Sequence, residues 1–380
     1  MPRAGKSPKI IRKVISDHLP ALSENDGLRR HVVRRPPLSR RLIDQAIAKL
    51  QLDLSDLVVL TEAATGHFVV TPLVAALAGA AQVLAITADS RYGTAEAARE
   101  QTTDLARRWH VERQIEVFTS RTDPRIAQAD IVTNLGFVRP LDAPMLARLK
   151  PTAVIPLMFE TWERRPADLD LDACRRRGLC VLGTNERDER LRIFDYVGEV
   201  AVKLATELDV ELPDSHVIVV GGGEFGRGTM AAFKKAGAHA TQVRPRDGQA
   251  LGDPAIVGQL PQTDLLVFVE HEDRRMLLGP GGLEINRLTE LAPHIAIVHI
   301  SGAVDADALA RSGIPHRPAV LAPPGRMSVT TAYLGPQPVI DLHAAGLKVG
   351  EAMARGMRQF GDVGKAVAFA LEHSPAMDFQ

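Results

Sequence analysis

Between His216 and Gly228 the chain reads HVIVVGGGEFGRG, with Gly221, Gly223 and Gly226 in the spacing GxGxxG. An apolar strand leads into the glycines and TMAAFKKAGA supplies a helix after them, the context in which this spacing cradles a pyrophosphate. Gly221 allows a tight turn, Gly223 lets backbone approach the phosphates, and Gly226 lets helix and strand pack closely, with Glu224 and Phe225 completing the turn. The helix N-terminus then offers N–H groups to an anion. The competing interpretation is a tight strand-to-helix turn that binds nothing.

In NAD-binding turns of this kind an acidic residue about 20 positions on takes the ribose hydroxyls. Here that place falls on Arg244, with Arg246 beside it. An arginine pairs with a 2′-phosphate instead, so NADP is expected over NAD. Alternatively both arginines point to solvent and Asp247 or a backbone group meets the ribose. Glu270 and His271 end the strand DLLVFV, and Ser301 and Gly302 end IAIVHI. Ligands of open α/β sheets bind outside such strand ends, so these four join the expected cofactor set, although each also serves as an ordinary loop cap.

Four further loops carry polar groups that suit catalysis. TEAATGH brings Thr61, Glu62, Thr65 and His67; TADSRYG brings Asp89, Ser90 and Arg91; MFETWERR brings Glu160, Thr161 and Trp162. The fourth, PPGRMSVTTAYLGPQPVIDLHAAG, holds Arg326, Tyr333, Asp341 and His343. Long irregular segments often shape active sites. Arg326 is expected to hold a substrate carboxylate through its planar fork. His343 is the expected acid and base, because an unperturbed imidazole titrates near neutrality. Glu160 is the runner-up and Tyr333 a further candidate; for each, a structural role as helix cap or satisfied polar group is the alternative. The histidines show no paired ligand spacing, so no metal is expected.

The elements that must position these groups alternate. From Asp53, DLVVL, AQVLAIT, QIEVF, ADIVTNL, TAVIPLMF and CVLGT read as strands between helical segments. In the helix FDYVGEVAVKLATEL, Val197, Val200, Ala201, Leu204 and Ala205 share one face. VIVV, HATQV, DLLVFV, IAIVHI and HRPAV form a second series. The expected class is α/β: two Rossmann-like, doubly wound parallel-sheet domains with an interdomain cleft. The divisions are a basic extension over residues 1–50, a substrate domain over 51–195, a cofactor domain over 196–335, and C-terminal helices over 336–380 that pack back on the first domain.

Lys plus Arg and Asp plus Glu number 46 each, so the net charge is zero and neither nucleic acid nor a membrane is the expected partner. Only two cysteines occur, Cys174 and Cys180, which fits reduced thiols in a cytoplasmic protein. The basic N-terminus lacks the apolar core of a signal peptide.

From about residue 130 to 330, the order of LDAPMLARLKPTAVI, DLDLDACRRRGLCVLGT, VGEVAVKLATEL, the glycine turn and DADALARSGI resembles the D-2-hydroxyacid dehydrogenase and formate dehydrogenase family. The resemblance implies a discontinuous substrate domain, a Rossmann cofactor domain and a homodimer. The family's substrate-binding arginine and its acid–base histidine are not matched: VHISGAVDADAL lacks the arginine, with His299 near the family's asparagine, and LAPPGRMS carries Pro324 at the histidine. The resulting expectation is NAD(P)-dependent hydride transfer on a small carboxylate-bearing carbonyl, alcohol or amine. The alternatives are a dinucleotide-binding sensor or scaffold without turnover, or a lyase that uses bound NAD(P) internally.

Overall fold

A computed structural model describes residues 35–379; residues 1–34, the larger part of the basic extension, lie outside the described residues. The described chain forms two units, residues 35–193 with 335–379, and Phe194–Leu334.

The first unit runs α1 (Pro36–Leu50), β1 (Val58–Glu62), α2 (Val70–Leu77), β2 (Gln82–Ile86), α3 (Ala95–Arg108), β3 (Ile115–Phe118), β4 (Ile131–Val132), α4 (Ala143–Leu146), β5 (Val154–Pro156), α5 (Leu171–Arg176) and β6 (Cys180–Thr184). Its strands lie in the order β3-β2-β1-β4-β5-β6, all parallel, so the order reverses between β1 and β4. Such a reversal opens a crevice at the strand carboxyl ends. Helix starts follow local chemistry: the side chains of Thr94, Asp142 and Asp170 accept backbone N–H bonds at the first turns of α3, α4 and α5. The segment expected to end the basic extension is the helix α1, with Ile43, Ala46 and Leu50 buried along one face.

The second unit holds α6 (Ile193–Thr206), β7 (His216–Val220), α7 (Gly223–Lys235), β8 (His239–Val243), α8 (Pro254–Val257), β9 (Leu265–Val269), β10 (Met276–Leu278), α9 (Ile285–Leu291), β11 (Ala296–Ser301), β12 (Ala303–Val304), α10 (Ala306–Ser312) and β13 (His316–Arg317). Five parallel strands lie in the order β13-β11-β9-β7-β8, and β10 pairs with β12 apart from them. Alternate residues point to opposite faces of a strand. Accordingly Val217, Val219, Val267 and Val298 join one core with Val197, Val200, Ala201, Leu204 and Ala205 of α6, while Ile218, Val220, Leu266 and Ile297 join another with Leu288 and Leu309. Both faces are covered, which is why these strands read as unbroken apolar runs. HRPAV supplies only the two-residue β13.

The chain then returns to the first unit with α11 (Pro336–Phe360), α12 (Val363–His373) and β14 (Ala376–Met377), which pairs antiparallel with β6. Helix α11 is buried over most of its surface, against α1, α2, α12 and the sheet. Its small residues make that approach possible: a Cβ on Gly350 would stand 2.8 Å from Ile131 and 2.9 Å from Pro156. Among the described residues no helix is long and apolar enough to cross a membrane.

Candidate functional site

The glycine turn joins β7 to α7. Gly221 has φ +151°, and a Cβ there would meet the Val269 carbonyl carbon at 2.7 Å and the Glu270 nitrogen at 2.8 Å. Gly223 has φ +57°, the left-handed region, so its glycine is required by backbone conformation. A Cβ on Gly226 would collide with the Gly221 carbonyl and the Gln242 side chain, and Gln242 Nε2 donates to that carbonyl at 2.8 Å. Gln242 pins the turn from β8, a role that no local motif announces.

Space over Gly222 is open, with nothing within 4 Å of a Cβ placed there. The first N–H groups of α7 have no intrahelical partner by helix geometry. One amide of the turn is not free, contrary to expectation. Glu270, 1% exposed at the end of β9, accepts the Gly222 N–H at 3.2 Å through Oε2 and those of Glu272 and Asp273 at 2.9 Å through Oε1. A second acid, Glu224, pairs with Arg227 in the first turn of α7. Gly228, at the end of the same run, serves packing: a Cβ there would collide with the Phe194 carbonyl of α6.

The remaining expected cofactor residues gather around this turn. His271 stacks on Phe225 with ring centroids 4.2 Å apart. Arg244 follows β8, its Nε donating to Gln242 Oε1 at 3.2 Å and its backbone N–H to Gln249 at 2.7 Å. Arg246 forms an ion pair with Glu272. Ser301 is 1% exposed at the end of β11, and its Oγ has no hydrogen-bond partner. Gly302 follows with φ +132°.

Arg326 lies in the same unit, in a turn where its N–H donates to the Pro323 carbonyl at 3.2 Å. Its Nη1 is buried without a hydrogen-bond partner. A second guanidinium, that of Arg274, comes within 3.7 Å of a Cβ placed on Gly325. Tyr333, expected as a proton carrier, is committed elsewhere. Its hydroxyl donates to Glu207 at 2.7 Å, and burial, then Glu207, push its pKa up to about 12. Lys203 sits 4.1 Å above the Tyr333 ring and donates to the Tyr333 carbonyl at 2.8 Å. This arrangement ties the 331–334 turn to α6.

In the first unit the strand carboxyl ends carry Thr61, Glu62, Thr133, Asn134, Glu160 and Glu186, all buried. Burial raises the Glu62 pKa, opposed by the N–H groups of Phe137 and Gly136. Thr133 donates to Thr61 at 3.1 Å, and Asn134 Oδ1 accepts the Met158 N–H at 2.9 Å. Glu160, 1% exposed, is spent on Arg187 at 3.0 Å and Trp162 Nε1 at 2.6 Å, an ion pair and hydrogen bond that do not suit the expected acid or base. Glu186, which no sequence motif marks, has its pKa raised well above the usual range by burial and then by Glu163 and Glu160.

His343, the expected acid and base, lies buried inside the first unit. It is 4% exposed on α11, with Nδ1 2.6 Å from Thr71 Oγ1 of α2. Burial lowers its pKa to about 4, so near neutrality the ring is neutral and holds no proton to give as imidazolium. Both cysteines are free and buried, and burial pushes each thiol up to about 12, which makes them inert. Among the described residues no group of three His, Cys, Asp or Glu side chains is placed to hold a metal ion.

No family model matches the chain, and no curated protein matches it. Solved structures do. A dipicolinate synthase polypeptide from Bacillus halodurans is 12% identical, covering 77% of this chain and 96% of that one, with a TM-score of 0.49. Its counterpart in the dipicolinate synthase of Bacillus subtilis is 14% identical over 80% and 98% of the two chains, also at 0.49. D-lactate dehydrogenase from Escherichia coli is 14% identical over 67% and 77%, at 0.38. Identity of this order leaves the reaction open.

Proposed function

We propose that the chain is an NADP-dependent oxidoreductase acting on a small carboxylate-bearing carbonyl compound, or on the corresponding alcohol or amine. The observation that carries this reading is the turn after β7: a left-handed Gly223, a close-packed Gly221 and Gly226, and open space over Gly222 at the start of α7. These residues fit a dinucleotide, with the α7 N-terminus facing its pyrophosphate and Ser301 supplying an unspent hydroxyl at the carboxyl end of β11. Arg244 and Arg246 follow β8, where a 2′-phosphate would stand, and favour NADP.

When bound, the nicotinamide supplies or accepts a hydride at C4. Arg326 holds the substrate carboxylate, for which its buried, unpartnered Nη1 is an available donor. A homodimer in the cytoplasm belongs to the same reading, supported by the family resemblance and the two reduced cysteines.

A second reading, dinucleotide binding without turnover, is favoured by one observation. Tyr333 and Glu160 are both spent on hydrogen bonds to other side chains. Titration of the purified protein with NADPH, followed by turnover assays against a panel of 2-oxo acids, decides between them. Binding with consumption of the reduced nicotinamide supports the oxidoreductase, binding without consumption supports the second reading, and failure to bind any dinucleotide removes both.

A further inference from the structure

A buried imidazole joins the two ligand-facing parts of the second unit. His299, on β11, is 0% exposed, and both ring nitrogens are engaged: Nδ1 lies 2.7 Å from Ser328 Oγ and Nε2 lies 3.1 Å from the Gly302 carbonyl oxygen. A carbonyl only accepts, so Nε2 carries the proton and Nδ1 accepts from the serine hydroxyl. Ser328 Oγ in turn accepts the Ala322 N–H at 2.7 Å, while the Ser328 N–H donates to the Ile300 carbonyl at 2.7 Å. Every donor therefore meets an acceptor along the path Ala322 to Ser328 to His299 to Gly302.

This path has a mechanical consequence. One serine hydroxyl closes the loop from Ala322 to Ser328, and Arg326 sits in that loop. The other arm of the imidazole holds Gly302, whose neighbour Ser301 keeps an unspent hydroxyl. We infer that His299 is a positioning residue: through Ser328 it fixes the loop carrying Arg326, and through the Gly302 carbonyl it fixes the Ser301–Gly302 bend, keeping the carboxylate-holding and cofactor-facing groups in register. The role given to Arg326 rests on the function proposed above; the hydrogen-bonded path does not.

The two arms separate by substitution. Asparagine reaches about as far as Nδ1 and keeps only the acceptor for Ser328, whereas glutamine reaches as far as Nε2 and keeps only the donor to Gly302. His299→Gln and Ser328→Ala are expected to raise KM for the carboxylate substrate about tenfold with little change in NADPH affinity. His299→Asn is expected to spare KM and weaken NADPH binding or kcat by a similar factor. Amide hydrogen exchange at Ala322 is read in parallel, with an expected acceleration of about tenfold in Ser328→Ala and less in His299→Asn.

Equal effects of the asparagine and glutamine variants on both parameters and on exchange, tracking a common loss of Tm, would overturn the positioning role and leave His299 as a core residue. Should the wild type turn over no substrate, the proposed reaction fails, while the exchange pattern still decides whether His299 and Ser328 hold the loop. If the His299 variants do not fold, Ser328→Ala alone decides: unchanged exchange at Ala322 overturns the inference.

Discussion

The Glu270 carboxylate accepts the backbone N–H of Gly222 at 3.2 Å, so an acid of β9 occupies the entrance of the phosphate-cradling turn. Anions are favoured at a helix N-terminus, and Glu270 supplies one from the protein itself. A pyrophosphate bound there must tolerate this charge. Replacing Glu270 with glutamine removes the charge and leaves one acceptor oxygen where the carboxylate had two, weakening the hold on the Gly222 amide. NADPH is expected to bind a few-fold more tightly, with a loss of about 1 kcal/mol of stability from the weakened backbone bonds. Fluorescence titration beside thermal melting checks both, and weaker binding in the variant would contradict this placement of the phosphates.

Two glycines of one run separate ligand binding from packing. Gly222 has φ −106° and open space around a Cβ, so Gly222→Ala should change stability by no more than about 0.5 kcal/mol. A methyl group over the turn should nevertheless reduce NADPH affinity at least about tenfold, as about 1.4 kcal/mol of lost contact. Gly228→Ala meets the Phe194 carbonyl and should cost about 1–3 kcal/mol of stability, with affinity preserved in the folded fraction. If Gly222→Ala binds NADPH as the wild type does, the turn is structural.

Arg244, just after β8, bonds to Gln242 and meets Asp247 only at 3.9 Å, while Arg246 is already paired closely with Glu272. Arg244 therefore has the weaker prior commitment and is the better phosphate partner. Arg244→Gln is expected to weaken NADPH binding about 10- to 100-fold, the worth of a charge-assisted hydrogen bond, and to leave NADH nearly unchanged. Parallel titrations with the two cofactors test it, and an equal loss for both would place Arg244 outside the 2′-phosphate site.

Burial lowers the His343 pKa from 6.5 to about 4. Between those values the unfolded chain binds the proton and the folded ring does not, so stability rises with pH. The contribution is complete above the unfolded value and is lost as pH falls from about 6.5 toward 4, with an upper size of about 3 kcal/mol. Urea midpoints at pH 7 and pH 5 should therefore differ less in His343→Gln than in the wild type. An identical difference in both would show that the ring does not titrate as its burial dictates.

The order of strands and helices is legible in the chain because each element carries its own period. Successive apolar residues of β7 and β9 feed two cores in alternation, and the face Val197, Val200, Ala201, Leu204 and Ala205 of α6 is buried as its spacing predicts. The glycine turn is legible through its spacing, which records the φ at Gly223 and the contact of Gly226 with Gly221, although β9 and Gln242 also press on it from afar. Candidate side chains follow from intrinsic chemistry, and there local reasoning ends.

What each polar side chain does was decided by partners far away in sequence. Gly222 meets Glu270 across 48 residues, Tyr333 meets Glu207 across 126, and His343 meets Thr71 across 272. Composition gives an imidazole its ordinary pKa and a tyrosine its hydroxyl, but burial and a distant partner set the proton affinity of each. By itself the sequence determined the α/β class, the succession of elements and the place of the glycine turn. Only the tertiary structure decided the strand order, the carboxylate within that turn, and which buried donors, Ser301 and Arg326 among them, remain unspent. Periodicity along a chain records which face of an element is buried; it holds no record of which element buries it.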